Sequence, residues 1–250
     1  MSEIVVYKIS GSDLDDPAFS GRFAQAMAGV VQSGAKPVIV HGGGRELTEL
    51  LKAMQVETRF VDGLRVTDAR TRDAALMVLS GLANKRLVAA LMAQGVDAVG
   101  LSGLDAGLIR VERLNAALEF VGRPIRVRVE LLRAWLGQDL VPVISPMSLG
   151  VDGEIYNVNA DHAAGAIAAA INADLLTFVT NVLGVLDHQK SLIASLSLAQ
   201  AEALIADGTI SGGMIPKVRT ALEALDAGVG RVRITNLDGI AGNAGTVFAR

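Results

Sequence analysis

The chain has 250 residues, a formal net charge of −3, no cysteine, and only one Trp, two Tyr and six Phe. That balance lacks the basic surplus and interleaved aromatics of a nucleic-acid binder, and the missing thiols exclude disulfides, thiolate metal sites and a cysteine nucleophile. With 51% apolar and 20% charged residues, it has the composition of a packed core rather than a disordered chain.

The N-terminus runs into the strand-like Ile4-Val5-Val6-Tyr7 without the basic and apolar segments of a signal peptide. The longest apolar run, 163–171, is about half of the roughly 20 residues that span a bilayer. A cytoplasmic protein with no membrane contact is expected.

Short β-branched runs at 4–9, 37–40, 98–101, 141–144, 175–179 and 232–234 alternate with helix-patterned stretches near 18–33, 45–54, 69–94, 129–137, 160–172, 198–207 and 214–228. The alternation predicts an α/β fold with a mostly parallel, doubly wound sheet. Alternating runs and turn signals at 56–66, 108–129 and 148–158 predict β-hairpins at the carboxyl end of the sheet, where such sheets bind ligands. A soft lobe boundary falls near 172–174, with one sheet shared across it.

Five stretches carry chemistry. Lys8-Ile9-Ser10-Gly11 follows the first strand, where small residues let backbone N–H groups approach an anion; taken alone, a strand-end lysine and an ordinary turn are the better reading. Next, His41-Gly42-Gly43-Gly44 ends a buried strand and opens a helix. Three glycines are entropically costly, so a close backbone–ligand approach is the better reading, although the spacing is neither the dinucleotide fingerprint nor the P-loop. His41 itself reads as a satisfied strand-end histidine. Gly63-Leu64-Arg65-Val66-Thr67-Asp68 offers an arginine fork for a carboxylate, with Thr67 or Asp68 as a helix N-cap. Tyr156-Asn157-Val158-Asn159-Ala160-Asp161 puts two amides before an Ala-rich helix, with Asp161 at the dipole's positive end, where it could simply cap. Finally, Gly212-Gly213-Met214-Ile215-Pro216-Lys217 is a second glycine-to-helix entry with a lysine, and 180–186 follows another strand.

In this order, the lysine–glycine start, VIVHGGG, GLRVTD, GLANKRLV, VGLSG, FVG, YNVNAD, NVLGVL and GGMIPK resemble the amino acid kinase family over essentially the full length, and most of all its acetylglutamate-phosphorylating branch. The resemblance implies a three-layer αβα sandwich with hairpins at the substrate end. It implies a lobe at 1–172 for the acyl amino acid and dimerisation, and one at 173–250 for ATP. The implied activity moves the γ-phosphoryl of ATP to the γ-carboxylate of N-acetyl-L-glutamate, giving an acyl phosphate in arginine biosynthesis. Lys8 and Lys217 would flank the transferred group, with Asp161 holding both. Gly43, Gly44, Arg65, Asn157 and Asn159 would bind the substrate. Gly11, Asn181, Gly184, Thr209, Ile210, Ser211 and Gly213 would bind the nucleotide, which brings its own Mg²⁺; no protein metal site is implied.

Two departures stand out. Ser10 replaces a usual glycine, which would be strained if the loop needs positive φ, and Asn181 replaces a usual aspartate. The first strand begins by Ile4, leaving no room for the N-terminal helix of arginine-inhibited hexameric members. An arginine-insensitive homodimer built on the 69–94 helix is therefore expected. The rivals are the carrier-protein-linked aminoadipate kinase of lysine biosynthesis, for which Arg110, Arg113, Arg123, Arg126 and Arg128 could form a basic docking face, and a non-catalytic relative on the same scaffold.

Overall fold

The computed structural model describes residues 2–14, 16–61 and 63–250. Its elements run β1 (Ile4–Ile9), α1 (Gly11–Leu14), α2 (Pro17–Gln32), β2 (Lys36–His41), α3 (Gly44–Ala53), β3 (Phe60–Val61), β4 (Leu64–Arg65), α4 (Ala69–Ala75), α5 (Asn84–Met92), β5 (Ala98–Gly103), β6 (Ile109–Arg113), β7 (Gly122–Val127), α6 (Val129–Leu136), β8 (Val141–Gly150) and β9 (Ile155–Asn157). They continue with α7 (Ala160–Ile171), β10 (Leu175–Val179), β11 (Ser195–Ser197), α8 (Leu198–Ala206), α9 (Met214–Asp226), β12 (Arg231–Thr235), α10 (Leu237–Ala241) and β13 (Thr246–Ala249).

Eleven strands form one sheet in the order β11-β13-β12-β10-β1-β2-β8-β6-β7, with β5 and β9 also on β8. The central ladders β10-β1-β2-β8 are parallel, while β6-β7, β8-β9 and β12-β13 are antiparallel. The sheet therefore passes without a break across residue 172, and the three hairpins expected from sequence are present as β3-β4, β6-β7 and β8-β9.

Period-2 alternation assigns the two faces. In β1, Val5, Tyr7 and Ile9 pack with Phe23 and Met27 of α2, Leu87 of α5 and Ile240 of α10. Val6 joins the opposite core with Ala163 and Ile167 of α7 and Val218 of α9. These buried faces make three layers, αβα. Lys8, following Tyr7, shares the α7 side.

Two features differ from the sequence reading. Leu76–Ala83, between α4 and α5, is π-helical for eight residues, a geometry that is rare and clusters at functional sites. The helix runs unbroken from Ala69 to Met92, 24 residues, long and apolar enough to cross a membrane by length and composition alone. The 163–171 run is thus not the most membrane-like segment. The long helix instead packs on β5, β8 and α2.

Candidate active site

The carboxyl ends of β1, β2 and β10 meet the N-termini of α7 and α9, and there the charged residues gather. Lys8 Nζ lies 2.8 Å from Asp161 Oδ1, with the two side chains only 16% and 27% exposed. Asp161 is available because Asn159 takes the capping role: its Oδ1 accepts the N–H groups of Asp161 at 2.7 Å and His162 at 3.3 Å. The sequence left that cap open to Asp161; the amide two residues earlier fills it. Lys8, Ser10, Asp161, Thr180, Asn181 and Lys217 line one cavity of about 390 Å³. Within it Asp161 pairs with Lys8, whereas Lys217 Nζ donates to the Gly213 carbonyl at 3.4 Å, one turn back on α9.

The two glycine loops interlock beside this cavity. A Cβ on Gly11 would sit 2.1 Å from the Gly43 nitrogen, and one on Gly43 would meet Leu79 at 2.4 Å. Gly11 is demanded by contact between backbones, while Gly43 is covered by the Leu79 side chain. Ser10 has no positive φ, so the strain its replacement of glycine could have caused does not arise.

Arg65 is tied to the same loop. Its Nη2 donates to the Gly44 carbonyl at 3.2 Å and to Thr48 Oγ1 at 2.8 Å, and its Nη1 to Thr58 Oγ1 at 3.3 Å. Its guanidinium lies 4.8 Å from the Phe60 ring centroid, and burial pushes its pKa below the ordinary value. No carboxylate among the described residues pairs with it, so it is a half-buried cation suited to an incoming anion. Asn157 joins through Thr67: its Nδ2 donates to Thr67 Oγ1 at 3.3 Å, and that hydroxyl donates to the Arg65 carbonyl at 3.0 Å. Asp68, not Thr67, caps α4, accepting from the Thr71 N–H at 2.7 Å, which holds its carboxyl below the usual range.

Sequence reasoning missed the support beneath the glycine loop. His41 is fully buried. Asn84 Nδ2 donates to its Nε2 at 3.0 Å, which leaves Nδ1–H to donate to the Gly42 carbonyl at 2.9 Å. The same amide reaches the carbonyls of Val143 at 2.9 Å and Leu101 at 3.2 Å. Burial, outweighing the Gly42 bond, lowers the His41 pKa from its ordinary 6.5 to about 4, so the ring is neutral. Gly100 leaves room for Asn84, since a Cβ there would stand 2.2 Å from Asn84 Oδ1. The glycine in VGLSG was the one available sequence signal.

The expected nucleotide residues are less uniform. Asn181 lines the cavity and Gly213 starts α9. Gly184 packs under β13, where a Cβ would meet Thr246 Oγ1 at 2.5 Å. Thr209 Oγ1 bonds Asp207 at 2.6 Å and His188 at 2.8 Å. Ile210 is a buried core residue whose N–H is taken by the Leu204 carbonyl, so it has no free donor to offer. Ser211 is exposed, while Gly11 is buried against Gly43.

Against this geometry, the amino acid kinase family profile matches residues 3–236. The chain belongs to the amino acid kinase family. Among curated relatives, the acetylglutamate kinase of Roseiflexus sp. (strain RS-1) is 52% identical over 247 residues, covering 98% of this chain and 93% of that protein. Among solved structures, smu.665 from Streptococcus mutans UA159 superposes with a TM-score of 0.83 at 29% identity, covering 100% and 99% of the two chains. Carbamate kinase from Giardia lamblia bound to AMP-PNP gives 0.73 at 17% identity, covering 100% and 99%, a likeness of fold alone. The αβα sandwich is thus the amino acid kinase fold, and this member is a phosphotransferase.

Proposed function

We propose that this amino acid kinase phosphorylates the γ-carboxylate of N-acetyl-L-glutamate with Mg²⁺-ATP, giving the acyl phosphate used in arginine biosynthesis. One observation carries the reading: Lys8, its partner Asp161, and Lys217 share a single cavity beside two interlocked glycine loops. The high identity to a protein named acetylglutamate kinase supports the choice of substrate.

The acceptor carboxylate is already a nucleophile, so no general base is required. The difficulty is bringing an anion against a polyphosphate. Phosphoryl transfer proceeds through a loose transition state with charge on the equatorial oxygens, and catalysis is positioning plus electrostatics. Lys8, oriented by Asp161, neutralises charge from the β1 side, and Lys217 does so from α9. N–H groups of Gly43 and Gly44 meet the transferring phosphoryl and the substrate. Arg65 takes the α-carboxylate, with Asn157 beside it; Asn159 acts through the α7 cap that frees Asp161. Asn181, Gly213, Ser211, Thr209, Gly11, Gly184 and the Ile210 carbonyl line the nucleotide side. Residues 1–172 form the substrate lobe and 173–250 the ATP lobe. The enzyme works in the cytoplasm as a homodimer.

Two of the arginines that could have formed a basic docking face are already neutralised, Arg123 by Glu112 and Arg128 by Glu130 at 2.9 Å. A coupled ADP-release assay with N-acetyl-L-glutamate, L-glutamate and 2-aminoadipate side by side tests the function. Turnover with N-acetyl-L-glutamate, at a kcat/KM far above the other two, is expected. No turnover with it, or a preference for aminoadipate, defeats the reading.

A further inference from the structure

A second cavity, of about 720 Å³, lies apart from the one that holds Lys8. It lies on the opposite face of the sheet, between α2 and α10. Tyr7 and Arg233 line it and belong to a polar row inside an otherwise apolar layer. Tyr7, Thr177 and Arg233 stand abreast on β1, β10 and β12, in register with one another, and all three are buried, Arg233 at 4% exposure.

That row is incompletely satisfied. Arg233 Nη1 donates to Asn243 Oδ1 at 2.7 Å, and the Tyr7 hydroxyl meets the guanidinium. Both partners are neutral. The Nε of Arg233 and the Oγ1 of Thr177 are buried without a hydrogen-bond partner. No carboxylate among the described residues pairs with Arg233; the nearby Glu3 is 3.7 Å from Arg231 instead. Glu3 attracts Arg233 only from a distance; a buried cation without an ion-pair partner is costly, and an orphaned donor adds to that cost. Burial accordingly lowers the Arg233 pKa. A guanidinium facing an open cavity is the natural receptor for a carboxylate.

The rest of the lining narrows the ligand. Val5, Leu175, Leu237 and Ile240 form apolar walls, and at the rim the exposed acids Glu3 and Asp238 outnumber the exposed Arg22. The acids disfavour a polyanion, and the walls favour a hydrocarbon body. We propose that this cavity is a second, non-catalytic binding site for a small monocarboxylate with an apolar body, its carboxylate on Arg233 and Tyr7.

The test is calorimetric titration of the intact enzyme with isovalerate and benzoate. The substrate site is first filled by saturating N-acetyl-L-glutamate and a non-hydrolysable ATP analogue. Saturable binding with Kd of about 1 mM or tighter is expected, weakened at least about tenfold by Arg233→Gln. Because Arg233→Gln could fail to fold, Gly29→Phe provides a second arm. Gly29 of α2 lines the cavity and a Cβ there meets nothing within 4 Å, so phenylalanine narrows the cavity while Arg233 itself is unchanged. Gly29→Phe should abolish the binding and retain ADP-release activity. The proposal is overturned by no binding up to about 10 mM, by binding undiminished in Gly29→Phe, or by uptake of phosphate or citrate in place of the monocarboxylates.

Discussion

Lys8 and Lys217 differ in how they are held, and that difference has consequences. Lys8 is fixed by a partly buried carboxylate, whereas Lys217 has one long bond to a backbone carbonyl and keeps more freedom before the nucleotide arrives. If both stabilise charge that develops only in the transition state, removing either acts on kcat more than on KM. Lys8→Ala and Lys217→Ala should each lower kcat by about 10²–10³, read by steady-state kinetics for both substrates; a kcat within a few-fold of wild type removes that residue from the machinery. His41 makes a separate prediction for stability. The folded ring takes up a proton only near pH 4, the unfolded one near its ordinary 6.5, so the unfolded chain binds the extra proton between those values. Stability is therefore lost as pH falls from 6.5 to about 4 and is unaffected above 7, by about 3 kcal/mol for this group. Urea unfolding at pH 7.5 and 4.5 checks it: wild type should lose clearly more stability than His41→Gln, and equal losses defeat the assignment. The charged residues at strand ends were legible because a lysine or arginine beside a glycine turn suggests an anion by itself. The His41–Asn84 bond was not, since it joins residues 43 apart and neither has a local pattern.

At the scale of elements, the glycine loops are one unit built from two. Gly11 begins α1 and Gly43 precedes α3, and the Gly43 backbone lies so close to Gly11 that Gly11 tolerates no methyl group. Gly11→Ala must push the Gly43 loop aside, at a cost of about 1–3 kcal/mol. Tm should drop by roughly 2–4 °C for each kcal/mol, with kcat falling alongside. Gly44→Ala, whose added methyl meets open space, should leave Tm near wild type in the same thermal scan, and a similar drop in both variants defeats the contact argument. The buried parallel strands were readable because β-branched runs between helical stretches have few alternatives. β11, β13 and α10 escaped because they are three to five residues long, too short for periodicity to register. The π-helical turns escaped for another reason. Leu76–Ala83 is as apolar as any buried α-helix, and its contacts are tertiary: Leu79 covers Gly43, and Ser80 Oγ meets Ser145 Oγ at 2.7 Å.

For the whole molecule, the remaining question is what the long helix does with its outer face. Met77, Leu82 and Met92 are 56%, 44% and 50% exposed, on a helix whose other side is committed to the sheet and α2. Solitary exposed apolar residues need no explanation, but three large ones along a single 24-residue helix offer apolar area that a partner could cover. A second copy related by a two-fold axis would lay the same helix against it, because a self-complementary surface is the simplest way for identical chains to close. We propose this helix face as the contact of the homodimer that the family resemblance implies. Multi-angle light scattering should therefore report twice the 26.0 kDa chain mass, with a Tm that rises with protein concentration. Met77→Glu combined with Leu82→Glu should place like charges against each other in the interface and yield monomers that keep the αβα circular dichroism signature. A wild-type chain that scatters as a monomer, or a double variant that remains dimeric, would place the contact elsewhere on the surface.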